Sequence, residues 1–169
     1  MLLRTALAAA VLAGSCLIAA ADELELNLYI SADGKYKVLL PGEVKTTDKK
    51  MGGTVTKTVS AVVDAESAFA VSYADLPLDV AADQVRGIVG GYLKGLAGPG
   101  GKVLSSKDRS IGPDKLPGRE VLIQQPKTFL RVRATIVGKR LYQVIAAGPM
   151  DFVTSKDADR VFDSFEVVK

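Results

Sequence analysis

The chain of 169 residues contains no histidine, and its one cysteine is Cys16. Without imidazole there is no Ser-His or Cys-His nucleophile pair, no histidine-ligated zinc and no imidazole acid–base catalysis. Cys16 lies inside a stretch read below as a removable leader. Its loss would exclude a disulfide framework, thiolate chemistry and iron–sulfur ligation from the rest of the chain. Carboxylate, lysine, tyrosine and serine–lysine chemistry survive. Charge of one sign is also lacking: 22 Lys+Arg are interspersed with 19 Asp+Glu. A nucleic-acid footprint needs a one-sided basic surface, so nucleic acid is excluded as a partner. There is no internal repeat, no low-complexity tract and no apolar run beyond the N-terminus long enough to cross a bilayer.

What is present begins with "MLLRTALAAAVLAGSCLIAAADE". Arg4 supplies a positive start, an apolar run follows, and Ala19-Ala20-Ala21 fits a small-x-small cleavage site. The pattern predicts a secretory signal peptide over residues 1–21 and a periplasmic or secreted product. An uncleaved anchor is the competing reading, with a run near the lower limit of about 17 residues for a spanning helix. A lipoprotein anchored at Cys16 is a third, but Ala13 stands where a large aliphatic residue is wanted. Taking 21 residues from 169 leaves 148, a length suited to one domain with a real core. Arg4 is the only charge in the leader, so 21 Lys+Arg face 19 Asp+Glu, a net +2.

Alternation in "ELELNLYI" sets Leu24, Leu26, Leu28 and Ile30 against Glu23, Glu25 and Asn27, which predicts a strand. The Asp33-Gly34 turn leads into "KYKVLL", a second strand stopped near Pro41. Lys49 to Gly53 reads as a hairpin tip, followed by the β-branched strand "TVTKTVSAVV" and then "SAFAVSYADL". From Asp79 the period changes, and Val85, Ile88, Val89, Tyr92, Leu93 and Leu96 form one helical stripe. Asp79 is the expected N-cap. Gly87, Gly90, Gly91 and Gly95 weaken this helix, and close packing on a sheet is the favoured reason. Strands are predicted at 102–111, 119–124, 129–137 and 140–146. Gly138-Lys139 should make a type II′ turn with Val137 facing Arg140. Ser155 should cap a final short helix burying Ala158, Val161, Phe162 and Phe165. The fold class is therefore α+β: a central antiparallel sheet flanked by one long and one short helix.

The succession of "DGKYKVLLPGE", "AVSYADLP", a helix, "LPGRE", "RLYQV" and "VFDSF" resembles exported PsbP-like domains, including their bacterial relatives, over nearly all of residues 22–169. The resemblance implies a central antiparallel sheet with flanking helices and an extrinsic, accessory protein-binding role. Photosynthetic members serve photosystem II, but nothing in this chain identifies that partner. The resemblance carries over no catalytic residue and no cofactor. Family members can use histidine in metal contacts, and this chain has none.

Two site-like patterns lead nowhere. "GPGGK" (98–102) follows its helix, whereas a phosphate loop precedes one. Asp157, Asp159 and Asp163 lack the glycine turn and terminal glutamate of a calcium loop, and read as helix charge and solvated face. The strongest cluster is Arg131, Arg133, Arg140 and Tyr142. Strand alternation puts Leu130, Val132, Ala134 and Ile136 on one face, with Arg131, Arg133, Thr135, Arg140 and Tyr142 on the other. That face suits an anion or an acidic partner. The competing reading is a solvated charge ladder, with Glu120 opposite Arg133. The expected function is an exported non-enzymatic domain that binds another envelope protein. The alternatives are a small-ligand or lipid carrier, and a carboxylate- or Ser-Lys-based envelope hydrolase.

Overall fold

The computed structural model describes residues 23–51 and 53–168. The expected leader, with Cys16 and the cleavage site at Ala21, lies outside them. Ten strands and three helices follow in the order β1 (Leu26–Ser31), β2 (Tyr36–Pro41), β3 (Val44–Met51), β4 (Thr54–Val62), β5 (Ala68–Asp75), α1 (Val85–Gly95), β6 (Lys102–Ile111), β7 (Leu116–Gln124), β8 (Phe129–Val137), β9 (Arg140–Gly148), α2 (Met150–Val153), α3 (Lys156–Ser164) and β10 (Glu166–Val167). They build a seven-stranded antiparallel sheet, β3-β4-β5-β9-β8-β7-β6, and a three-stranded one, β1-β2-β10.

Alternation in β8 and β9 decides where each layer goes. Val132, Ala134, Ile136 and Leu141 face Val85, Val89 and Leu93 of α1, with Val121 and Ile123 of β7 alongside. The opposite face of the large sheet carries Val59, Phe69, Val71, Tyr142 and Val144, and is covered by β2, α2 and α3. Ala158, Val161, Phe162 and Phe165 are all buried there, and the Ser155 hydroxyl caps α3 by accepting from the Ala158 N–H at 3.0 Å. Val137 pairs with Arg140 across the Gly138-Lys139 turn. Gly138 at φ +59° with no positive φ at Lys139 is what a type II′ turn needs.

The structure differs from the sequence reading at six points. The long helix starts at Val85, behind Gln84, and not at Asp79. Residues 76–80 are spent on tethering: the Leu76 and Val80 N–H groups donate to Lys139 and Gly138 carbonyls of the β8–β9 hairpin. Its stripe is also narrower, since Ile88 and Tyr92 are exposed. Of its glycines only Gly90 is packed, against the Arg119 guanidinium, while Gly87, Gly91 and Gly95 face open space. A third helix, α2, is a single turn that periodicity cannot register. β3 occupies "VKTTDKKM", where the tip was expected to begin, because an exposed edge strand carries no apolar period. In β1 the alternation breaks: Leu24, Leu26 and Tyr29 pack on the core, while Leu28 and Ile30 are outside.

Candidate functional site

The arginine face of β8 is where the structure departs most from expectation. Arg131 and Arg133 are only 8% and 6% exposed, because α3 lies over them. Glu120 sits opposite Arg133, as strand pairing requires, and its Oε2 accepts from Arg133 Nε at 2.9 Å and from Arg131 Nη2 at 3.2 Å. Its Oε1 accepts from Arg109 Nη2 at 3.0 Å. The second amino group of each buried arginine is taken by α3: Arg131 Nη1 by Asp159 Oδ1 at 2.7 Å, and Arg133 Nη1 by Asp163 Oδ1 at 2.8 Å. Both guanidiniums also stack on the Phe162 ring, at 4.6 and 5.2 Å from its centroid. Burial alone would push the Glu120 carboxyl up. The charges of Arg133 and Arg131 and the hydrogen bonds from Arg109 and Arg133 outweigh that and hold it below its ordinary value. Asp159 and Asp163 are therefore not merely a solvated helix face. They latch α3 to the sheet.

Arg140 and Tyr142 do something different. Tyr142 is buried and its hydroxyl donates to the Gly34 carbonyl at 2.9 Å. Arg140 Nη1 donates to the Asp33 carbonyl at 2.8 Å, and its Nε and Nη2 grip Asp75 at 2.7 and 3.0 Å. Together they dock the Asp33-Gly34 turn, and with it the small sheet, onto the large one. Gly34 is needed there, since a Cβ would strike the Tyr36 ring and the Ser31 hydroxyl at 2.5 and 2.6 Å. Tyr36 behind it contacts Tyr29, Tyr73, Tyr142 and Phe165, with centroids 5.6 to 6.3 Å away.

An open cleft of about 810 Å³ adjoins this joint, lined by Asp33, Thr54, Val55, Lys57, Tyr73, Asp75, Pro77 and Arg140. Of the four site residues picked from sequence, only Arg140 lines it. Its guanidinium stacks on the Tyr73 ring at 4.9 Å. Lys57 Nζ meets Asp33 Oδ2 at 3.2 Å. The hydrogen bond to Asp33 raises the Lys57 ammonium's pKa, and the one from Arg140 lowers the Asp75 carboxyl's. Both groups stay charged near neutral pH, so neither is suited to exchange a proton there. Asp33, Lys57, Tyr73 and Asp75 come from three separate segments, and no local pattern in the sequence joins them.

No protein-family model matches the chain, and no curated protein matches it. Solved structures do. The solution structure of cyanobacterial PsbP (CyanoP) from Synechocystis sp. PCC 6803 superposes with a TM-score of 0.61 at 16% identity, covering 92% of this chain and 98% of that one. The fold is PsbP-like. A crystal structure from Bacteroides thetaiotaomicron VPI-5482 matches at TM-score 0.45 and 14% identity, over 84% of this chain and 48% of that one. In this PsbP-like fold, two sheets joined by the Arg140–Tyr142 clasp leave the cleft open at their seam. No described helix is long and apolar enough to cross a membrane, and the described residues hold no His/Cys/Asp/Glu cluster suited to a metal ion.

Proposed function

We propose that this chain is an exported, non-enzymatic accessory domain whose Arg140 cleft receives a segment of another envelope protein. The observation that carries the reading is the lining of the cleft. Two ion pairs, Asp33–Lys57 and Asp75–Arg140, present both charges at its wall, while Tyr73, Val55 and Pro77 offer apolar and aromatic area. That mixture suits a polypeptide surface, which brings both charges and side-chain bulk. A hydrolase reading is less well supported: a serine–lysine pair needs a neutral lysine, and Lys57 is biased toward its charged form by Asp33. Arg131 and Arg133 contribute by holding α3 in place, leaving Arg140 as the arginine that meets the partner.

A photo-crosslinking amino acid at Val55, compared with one at Lys107 on β6, tests the reading in the native envelope. The expected outcome is a discrete protein adduct from position 55 that is absent from position 107. Equal adducts from both positions, or none from position 55, would remove the cleft from consideration.

A further inference from the structure

Proteins blunt the open edges of their sheets, because unpaired N–H and C=O rows pair with other chains. Three edges here follow that rule. β3 carries Lys45, Asp48, Lys49 and Lys50, and β6 carries Lys102, Lys107, Asp108 and Arg109 with a register shift between Val103 and Ser105. β10 is only two residues long. The fourth edge, β1, reads Leu-Asn-Leu-Tyr-Ile-Ser, with no charge, no proline and an unbroken register against β2. No strand borders its outer side among the described residues. It also exposes two aliphatic side chains in alternation, Leu28 at 60% and Ile30 at 63%. A groove of about 360 Å³ runs beside it, with Tyr29, Ile30, Ser31, Ala32 and Asp33 on one wall and Thr46, Asp48, Lys57 and Val59 among the residues opposite.

We infer that β1 is the docking edge for an extended segment of the partner protein, which adds as a fourth strand to the small sheet. The inference rests on the protein-binding reading above and specifies how the segment is held. Main-chain hydrogen bonds supply affinity, and side chains at every second position set specificity. Aliphatic residues on the added strand stack against Leu28 and Ile30 as cross-strand neighbours. The groove carries two carboxylates, Asp33 and Asp48, against one ammonium, Lys57, so the intervening residues of the segment are Lys or Arg. The groove and the cleft share Asp33, Lys57 and Tyr73, so one segment can run from the edge into the cleft.

The probe is a fluorescent octapeptide of alternating valine and lysine, titrated against the chain from Asp22 onward. Saturable binding with slowed hydrogen exchange of residues 26–31 is expected. Replacing the lysines by glutamate should weaken it, as should replacing interior residues by proline, which cannot donate to a strand ladder. Leu28→Lys and Ile30→Lys, both at exposed positions, should each weaken it roughly tenfold without moving the melt. Equal binding of the proline peptide, or unchanged affinity of both variants, overturns strand addition. So does equal affinity for the glutamate peptide, or sedimentation showing that β1 pairs with a second copy. If the Val55 crosslink forms normally in Ile30→Lys, the cleft reading stands and only the edge inference falls. Loss of the crosslink in the unmodified chain fails the broader reading instead.

Discussion

Glu120 and Arg133 face each other across β7 and β8, and Glu120 Oε2 lies 2.9 Å from Arg133 Nε beneath the cover of α3. The pair is buried, shared with Arg131, and latched from outside by Asp159 and Asp163. A charge network of this kind is costly to break from one side, because the remaining partner stays buried.

Arg131→Glu should accordingly be among the most damaging single changes. It places a second carboxylate beside Glu120 and abandons Asp159. The expected loss in denaturant unfolding is about 3–5 kcal/mol, with a melt far below wild type. Lys57→Ala, which removes a solvent-exposed pair, should leave the melt where it is. Comparable melts for the two variants would mean the network is solvated after all.

This network and the separate Asp75–Arg140 pair both predict acid sensitivity. Glu120 and Asp75 both have folded-state values below their ordinary 4.5 and 3.8. A carboxyl depressed by folding contributes stability above its unfolded value, and that contribution is lost as pH falls through the folded one. Stability should be level from neutral pH down to about 5 and then drop as the pH passes below about 4. Glu120→Gln should flatten that drop, at the cost of lower stability at pH 7. An unchanged acid limb would assign the drop to other carboxylates.

Ser155→Ala removes the hydroxyl that accepts the Ala158 N–H. A lost N-cap costs about 1 kcal/mol. Hydrogen exchange should report it first in α3, as faster opening of residues 156–164, while β4 and β5 are unaffected.

Gly87→Ala and Gly91→Ala act in the other direction. Both positions lie on the exposed side of α1, where an added Cβ meets nothing within 4 Å. Each should stabilise the chain by roughly 0.5–1 kcal/mol. Gly90→Ala should not, since its Cβ would collide with the Arg119 guanidinium. A rise in melting temperature for all three would mean that Arg119 yields freely.

Export makes a separate prediction. The small residues at Ala19 and Ala21 predict cleavage before Asp22, and mass spectrometry of the exported protein is expected to find Asp22 first. A lipid-modified chain beginning at Cys16 would replace the secreted reading with an anchored one.

Much of the fold was legible because the signals are local. A β-branched run located β4, and apolar runs located β5 and the four strands around the arginines; Gly138-Lys139 set a hairpin register; Ser155 marked a helix start. Glu120 opposite Arg133 followed by counting back from a separate loop at residues 125–128, between β7 and β8. β3 was not legible, since "VKTTDKK" pairs through its backbone and presents no apolar face. Leu28 and Ile30 misled, because the alternation of "ELELNLYI" does not record that the core is met by Tyr29.

The sequence by itself determined which side of β8 and β9 is apolar, which turn joins them, and which chemistries are missing with histidine. Only the tertiary structure decided what covers each face. Four residues of helix rise about 6 Å and two of strand about 6.6 Å, so Asp159 and Asp163 can match Arg131 and Arg133. Nothing local says that α3 will lie there. The same holds for Arg140 and Tyr142, whose acceptors are carbonyls more than a hundred residues away. Alternation orients a side chain but carries no information about its distant neighbours, and burial, charge pairing and the cleft are properties of those neighbours.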